Sequence, residues 1–433
     1  MVGLQISYLT AGAAGMFCGS CLQDNAIAKS LMRLGHDVIL LPTYTPILTD
    51  EASVSSDRLF FGGLNVYLQQ ISPVFRWVPK WADQFLSSPR LVNWIASRAM
   101  GTSAKQLGAL TVSMLQGSDG KQRKEVSRLC DWLVTQKPDV AIFSNLLIAG
   151  SISEIKSRIG CPVVVILQGD DIFFESLVEP YRADAMKLLR QLAQRVDLFI
   201  VHSEVYGQRM EQLLGFPRER WQVNPLAIEP ADFVVRDRPE LDLRRPPTVG
   251  YLARLAPEKG LHQLVDAFIE LRQQMPSARL EIAGWLGKQH EAYWQEQQSK
   301  LADAGLADVY KYHGTVDRNG KLTFLESIDV LCVPTTYHEP KGLFVLESLA
   351  AGVPVVQPEH GAFPELLSRL GGGHLYPAGD QAALVERLAL VLSDLSAARR
   401  LGELGRAAVF EKATTDKAAA RMLELLQPLV AKN

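Results

Sequence analysis

The chain reads as an α/β protein of two domains, each a parallel sheet covered by helices. Three observations predict this. Its 433 residues exceed what one ordinary core holds and fit two domains of about 200 residues each. Short apolar runs alternate with amphipathic segments, the order expected of strands and helices in a parallel sheet. That rhythm is interrupted at Arg244-Arg245-Pro246-Pro247 and starts afresh beyond it, as at a domain edge.

The elements follow in order. A strand is expected at residues 4–9, then a loop carrying Gly12, Gly15 and Gly19, then a helix at 22–34 that Gly35 ends as a C-cap. A second strand at 36–41 completes a strand–loop–helix–strand unit, one half of a nucleotide-binding fold. Residues 42–137 are less regular. They hold Phe60-Phe61-Gly62-Gly63, an aromatic and basic stretch at 74–100 with Trp77, Trp81 and Trp94, and GSDGKQRK at 117–124, which reads as an exposed loop. That stretch reads as core or cleft wall more readily than as a seat for a lipid-linked acceptor. Strands at 139–143, 163–167 and 197–202 restore the alternation. Past Pro246 come a strand at 248–252, a helix at 259–273, and strands at 279–283, 310–313, 330–334 and 354–357. Segments 382–392 and 414–429, rich in Ala and Leu, read as the last helices. The domain boundary falls between 233 and 246.

Composition narrows the function classes. The apolar fraction of 47% and charged fraction of 21% are those of a soluble globular protein. A net charge of −2 gives no bulk attraction to nucleic acid or an anionic membrane, so no nucleic-acid partner is expected. The opening MVGLQISYLTAG lacks the basic and apolar regions of a signal peptide, and no apolar run reaches the roughly 18 residues of a membrane span. A cytoplasmic protein is expected, with peripheral membrane contact left open. The five cysteines, an odd number, suit reduced thiols. Cys18 and Cys21 form a Cys-x-x-Cys at a helix start, but no second pair completes a zinc site. Small residues lining a tight loop are the preferred reading over redox chemistry, and no metal is expected.

Two motifs carry chemistry. In His338-Glu339-Pro340-Lys341-Gly342-Leu343-Phe344-Val345-Leu346-Glu347, two carboxylates flank seven residues. A strand precedes them and a helix begins near Gly342. This puts Glu339 on a loop at the strand's C-terminal end, where α/β folds bind ligands, and Glu347 about one turn into the helix. The amides of the helix N-terminus suit an anion such as diphosphate, and Gly342 lets it approach the backbone. In Gly250-Tyr251-Leu252-Ala253-Arg254-Leu255-Ala256-Pro257-Glu258-Lys259-Gly260, Arg254 and Lys259 lie between a strand and a helix. Two fixed cations there neutralise a departing diphosphate, aiding the transition state more than the ground state. The plain alternative is a solvated charged turn and two ordinary surface carboxylates.

ARLAPEKG followed about 80 residues later by HEPKGLFVLE resembles the retaining glycosyltransferases of family 4; LEIAGWLG (280–287), YHGTV (312–316) and AAGVPVVQPEHGAFPELL (350–367) resemble further landmarks of that family. The resemblance spans nearly the whole chain. It implies the GT-B fold: two Rossmann-like domains facing across a cleft, with a C-terminal helix crossing back to the N-terminal domain. Domains are then expected at 1–235 (acceptor side), 236–410 (nucleotide-sugar side) and 411–433 (the returning helix). It implies that Arg254 and Lys259 hold the diphosphate, Glu339 the transferred sugar, Glu347 the ribose, and Gly342 and Leu343 the phosphate through their amides. No metal or other cofactor is implied beyond the nucleotide-diphosphate sugar donor.

The N-terminal half departs from the family in places. Cys18-Gly19 stands where Gly-Gly is usual, and Gly19 keeps the close approach to donor or acceptor. Gln168 in Val165-Ile166-Leu167-Gln168-Gly169-Asp170-Asp171 stands at a histidine position. Glutamine is no base, which weakens base catalysis but not front-face substitution. Asp170 is a candidate for holding an acceptor hydroxyl or for capping the next turn. Ser144-Asn145 lines the cleft or caps a turn, and Pro225-Leu226-Ala227-Ile228-Glu229 has no catalytic role assigned. The function expected is retaining sugar transfer to an unidentified acceptor. Rivals are a sugar-nucleotide epimerase or hydrolase, a non-catalytic nucleotide-sugar binder, and an NAD-dependent dehydrogenase. The last should show Gly-x-Gly-x-x-Gly, and the spacing of Gly12, Gly15 and Gly19 does not fit.

Overall fold

A computed structural model of the chain describes residues 3–12, 19–47, 49, 52–56, 58, 60, 104–234 and 245–431. The chain forms two compact units. The first takes Met1–Pro225 together with Ala418–Asn433, and the second takes Leu226–Lys417.

The first unit holds a six-stranded sheet of β1 (Gln5–Thr10), β2 (Asp37–Pro42), β3 (Val140–Phe143), β4 (Val163–Ile166), β5 (Leu198–Val201) and β6 (Trp221–Val223), in the order β2-β1-β3-β4-β5-β6. Every pairing is parallel. The central strands β3, β4 and β5 are buried at every position, as apolar runs covered on both faces must be. The helix Gly19–Arg33 joins β1 to β2 and starts three residues before the apolar pattern marks it. Gly35, at φ +88°, takes the left-handed turn that ends it.

The second unit repeats the plan with β7 (Thr248–Leu252), β8 (Arg279–Ala283), β9 (Tyr310–Tyr312), β10 (Val330–Cys332), β11 (Val355–Pro358) and β12 (Gly373–Tyr376). Their order is β12-β11-β10-β7-β8-β9, again all parallel. In each sheet the first strand sits inside, so the strand order reverses beside it: between β1 and β3, and between β7 and β10. Loops leaving the C-terminal ends of such strands part in opposite directions and open a crevice. Arg254 and Lys259 follow β7, and Glu339 follows β10.

Each unit has its own core, with Leu9, Phe143, Val165, Phe199 and Trp221 in the first and Val249, Phe268, Leu331, Leu346 and Val355 in the second. The last helix, Thr415–Val430, buries Ala419, Met422 and Leu426. Asn224 Nδ2 donates to the Ala418 carbonyl at 3.0 Å.

Three readings need adjustment. Strands β6 and β12 are not marked in the sequence; both are edge strands, too short and polar to stand out. The segment 117–124 is no exposed loop: Gly117–Asp119 is a 3-10 turn, and Gly117 and Gln122 are buried. A side chain at Gly117 would meet the Gly150 carbonyl at 2.0 Å, so the turn is packed on the 3-10 segment Leu146–Ser151 that follows β3. Cys18, residues 61–63, the stretch 74–100 and most of the expected boundary (235–244) lie outside the described residues.

Trp221 fixes the edge of the first sheet. It is fully buried, its indole donates to Glu211 at 2.7 Å, and the Arg218 guanidinium lies 3.9 Å from its ring centroid. Gly207 packs against it, and a Cβ there would fall 2.1 Å from the ring. Gly207→Ala should therefore lower stability by about 1–3 kcal/mol through overpacking, read as a drop in the chemical-denaturation midpoint. An unchanged midpoint would mean that Trp221 is free to shift.

Candidate active site

Three loops at the C-terminal edge of the second sheet are tied into one frame. The Thr336 amide donates to the Glu258 carbonyl at 3.0 Å, joining the loops after β10 and β7. Gly260, at φ +74°, passes so close to β10 that a Cβ would fall 1.7 Å from the Pro334 carbonyl oxygen, so glycine alone fits. Tyr251 is buried in β7 and donates to the Arg254 carbonyl at 3.1 Å. The loop after β11 closes the frame. Gly361, at φ +57°, lies where a Cβ would meet the Glu339 backbone at 2.6 Å, and the Ala362 amide donates to the Glu339 carbonyl at 2.8 Å. His360 Nε2 bonds the Thr335 carbonyl at 2.9 Å, and its Nδ1 is buried without a partner among the described residues.

The frame brings Lys259 onto Glu339. The ammonium donates to Glu339 Oε2 at 2.7 Å and to the Tyr337 hydroxyl at 2.5 Å, and the Tyr337 hydroxyl in turn donates to Glu339. Lys259 also faces the rings of Tyr337 (4.9 Å) and Phe344 (5.7 Å). Burial pushes the Glu339 carboxyl up. The charge and hydrogen bond of Lys259, the Tyr337 hydroxyl and the charge of Lys341 outweigh it and hold the group at about 2. Burial first, and then Glu339, push the Tyr337 hydroxyl well up, so it stays a neutral donor. Glu339 Oε1 also lies within 3.4 Å of the Lys341 amide and 3.3 Å of the Gly342 amide. Gly342, at φ +76°, is the N-cap of the helix Leu343–Ala350.

Arg254 and Lys259, expected as two fixed cations facing a diphosphate, are each paired with a carboxylate. Arg254 Nη2 donates to Glu258 at 3.1 Å on a partly exposed side chain. For Lys259, whose side chain is largely buried, a cation without a counter-charge is costly, and Glu339 supplies one. The alternative of two surface carboxylates does not hold: Glu339 is 5% exposed and Glu347 6%. Glu347, in the second turn of the helix Leu343–Ala350, accepts from Lys321 Nζ at 2.6 Å.

In the first unit, Gly19 opens the helix Gly19–Arg33. The same helix carries Asp24, fully buried, on which three donors converge: the Tyr8 hydroxyl (2.9 Å), the Thr10 hydroxyl (2.7 Å) and Gln168 Nε2 (3.2 Å). Gln168 Nε2 also donates to the Ser144 carbonyl at 2.8 Å. Asp170 accepts the Leu146 amide at 2.6 Å and the Gln168 amide at 3.0 Å, and does not cap its own helix, whose N-cap is Gly169. Asn145 does cap the turn after β3, accepting the Ile148 amide at 3.1 Å.

Asp24, Tyr337 and Lys321 escaped the sequence reading. Tyr337 adjoins the recognised motif, and an aromatic hydroxyl two residues before a loop carboxylate was a signal. Asp24 and Lys321 each lie on a helix whose polar residues look solvated until the buried face is known.

Two doubly wound units, with carboxylates on either side of a helix N-terminus in the second, define a GT-B protein. The "Glycosyl transferases group 1" family model matches residues 236–408 and the "Glycosyl transferase 4-like domain" model residues 25–227. The chain belongs to the GT-B glycosyltransferases of the family 4 type. It is 35% identical over 146 residues to a phosphatidyl-myo-inositol mannosyltransferase of Mycobacterium leprae, covering 34% of this chain and 37% of that one. Its alignments span from about a third to just over half the length of the first curated relatives it matches. Its fold follows sucrose-phosphate synthase from Thermosynechococcus elongatus (TM-score 0.69, 16% identity, 99% and 100% of the two chains). It likewise follows Anabaena HepE in complex with UDP and glucose (TM-score 0.66, 18% identity, 98% and 99%). Among the described residues no group of three or more His, Cys, Asp or Glu is placed to hold a metal, and no helix is long and apolar enough to cross a membrane.

The buried Asp170 gives a pH test. Burial, aided by the charge of Asp171 and outweighing its backbone hydrogen bonds, pushes its carboxyl up from 3.8 to about 6. Between those values the folded state binds more protons than the unfolded state, so stability falls as pH rises through this window. The group's share of that fall is roughly 3 kcal/mol. Asp170→Asn should be less stable overall, having lost an acceptor for one amide, yet its unfolding free energy should change less between pH 4 and 6 than that of the unaltered chain. Parallel profiles would show that Asp170 does not titrate there.

Proposed function

We propose that the chain transfers a sugar from a nucleoside-diphosphate sugar to an acceptor hydroxyl, with retention of configuration at the anomeric carbon. The observation that carries this reading is the Lys259–Tyr337–Glu339 cluster at the N-terminus of the helix Leu343–Ala350, at the reversal point of the second sheet. The fold and family support it, and the Anabaena protein of the same fold in complex with UDP and glucose suggests UDP-sugars as the first donors to try.

In this reading Arg254 and Lys259 meet the diphosphate, with the Gly342 and Leu343 amides contributing close backbone approach. Glu339 accepts from a hydroxyl of the transferred sugar, and Glu347 from the ribose. The acceptor oxygen bonds to the anomeric carbon as the bond from that carbon to the phosphate oxygen breaks. The acceptor's proton passes to that phosphate oxygen on the same face. Gln168 fits such a path, because its amide is no base and already donates to Asp24 and Ser144. Arg254 and Lys259 act most strongly on the leaving group, whose charge grows as the bond breaks.

Arg254→Ala should lower kcat about 100-fold with little change in thermal midpoint, since its guanidinium is partly exposed. The double variant Arg254→Ala/Lys259→Ala should lose at least about 1000-fold in kcat/KM. Turnover near the starting value in a folded double variant would remove these residues from the mechanism. Labelled donor incubated without acceptor separates the rivals: a free labelled sugar or a changed sugar nucleotide would indicate a hydrolase or epimerase. With cations carrying the neutralisation, excess EDTA should leave the initial rate unchanged, and a loss restored by one divalent metal would contradict that role.

A further inference from the structure

We infer that Lys321 is the positioning residue that makes Glu347 a selective acceptor for the ribose hydroxyls of the bound nucleotide; this rests on the donor site proposed above. The geometry points to it as follows. Lys321 Nζ donates to Glu347 Oε1 at 2.6 Å, and both residues are buried, 7% and 6% exposed. The other oxygen, Oε2, has no partner among the described residues, yet it is not among their sealed polar atoms. The carboxylate is therefore divided: one oxygen is clamped by the protein and the other is left open as an acceptor.

Both ends of the clamp are fixed by backbone. Lys321 lies on the helix Arg318–Ser327, which Asp317 caps by accepting the Gly320 amide at 2.8 Å. Leu322, Phe324 and Leu325 of that helix are buried in the core of the second unit. Glu347 lies on the helix Leu343–Ala350, buried from Phe344 onward. Neither side chain can follow the other by moving its helix, so the 2.6 Å contact sets the plane of the carboxylate. A buried ion pair gains little stability over a well-packed apolar pair, because desolvation offsets the attraction. An arrangement that spends a buried lysine on one oxygen while leaving its twin open is better explained by ligand orientation than by stability. An oriented, charge-compensated carboxylate accepts from a ribose hydroxyl and loses that bond when the hydroxyl is absent, which is how hydrogen-bonding sites reject deoxy analogues. Without Lys321 the carboxylate is free to rotate or to bind a proton, and that discrimination goes.

The test uses the full chain and the nucleoside diphosphate, of UDP, GDP and ADP, that it binds most tightly, with the 2′-deoxy and 3′-deoxy forms as probes. Calorimetry should show the unaltered chain binding the ribose form at least about tenfold more tightly than one of the deoxy forms. Lys321→Met should weaken the ribose form about tenfold, leave that deoxy form within about twofold, and so bring the ratio close to one. Lys321→Arg, which keeps a charged donor, should restore most of the ratio. On a Glu347→Gln background, Lys321→Met should change the ratio no further. Should Lys321→Met fail to fold, Lys321→Gln keeps one donor without the charge and should show a reduced ratio. A folded Lys321→Met or Lys321→Gln chain that keeps the full ratio overturns the assignment while leaving the donor site standing. If none of the three diphosphates binds the unaltered chain, the donor reading itself fails and takes this one with it.

Discussion

The contact between Lys259 and Glu339 governs the architecture around it. Two charges withdrawn from water are tolerated only where geometry is held tightly and remaining donors and acceptors are satisfied. Both conditions leave marks in the surrounding loops. Gly260 and Gly361 are glycines because the backbone passes too close to Pro334 and Glu339 for any side chain. Tyr337 supplies the extra hydrogen bond, and the Thr336 amide locks the two loops together. The sheet supplies the rest: β7 and β10 are neighbours although β8, β9 and three α-helices of chain separate them. That adjacency lets residues 80 positions apart share one proton donor and one acceptor.

The first unit answers the same topological problem with a different chemistry. At the reversal point between β1 and β3 it gathers the hydroxyls of Tyr8 and Thr10 and the amide of Gln168 on one fully buried carboxylate, Asp24. Hydroxyl and amide donors hold that carboxylate from three sides. The second unit instead cancels charge with lysine, at Glu339 and again at Glu347. The two solutions differ in what they leave available. A carboxylate saturated by hydroxyl and amide donors is a structural anchor, whereas one clamped on a single oxygen can still receive a ligand.

Much of this was legible in the residues. Central strands announce themselves as unbroken apolar runs, because a strand covered on both faces has no position for a polar side chain; β3, β4 and β5 were located within a residue or two for that reason. The places of Arg254 and Lys259 after β7 and of Glu339 after β10 were legible because each sits in a short local motif between a strand and a helix. Edge strands β6 and β12 were not, since each is short and has only one buried residue, Trp221 and Tyr376. Lys321 and Asp24 were hidden for a related reason. A charged residue on a helix reads as solvated, and only the neighbouring element shows that its face is inward. The pairing state of the cations was hidden too, because Glu258 and Glu339 could as well have pointed away.

The last helix has a bearing on how the chain is made. Residues 418–433 group with the first unit although the entire second unit is threaded between them and residue 225. The second unit is thus one uninterrupted stretch that can complete its own core as soon as it leaves the ribosome. The first unit, begun earlier, must wait with the surface for Ala419, Met422 and Leu426 uncovered until the final segment emerges. The half synthesised first is therefore the half finished last, and in the interval its uncovered apolar surface is of the kind that favours aggregation.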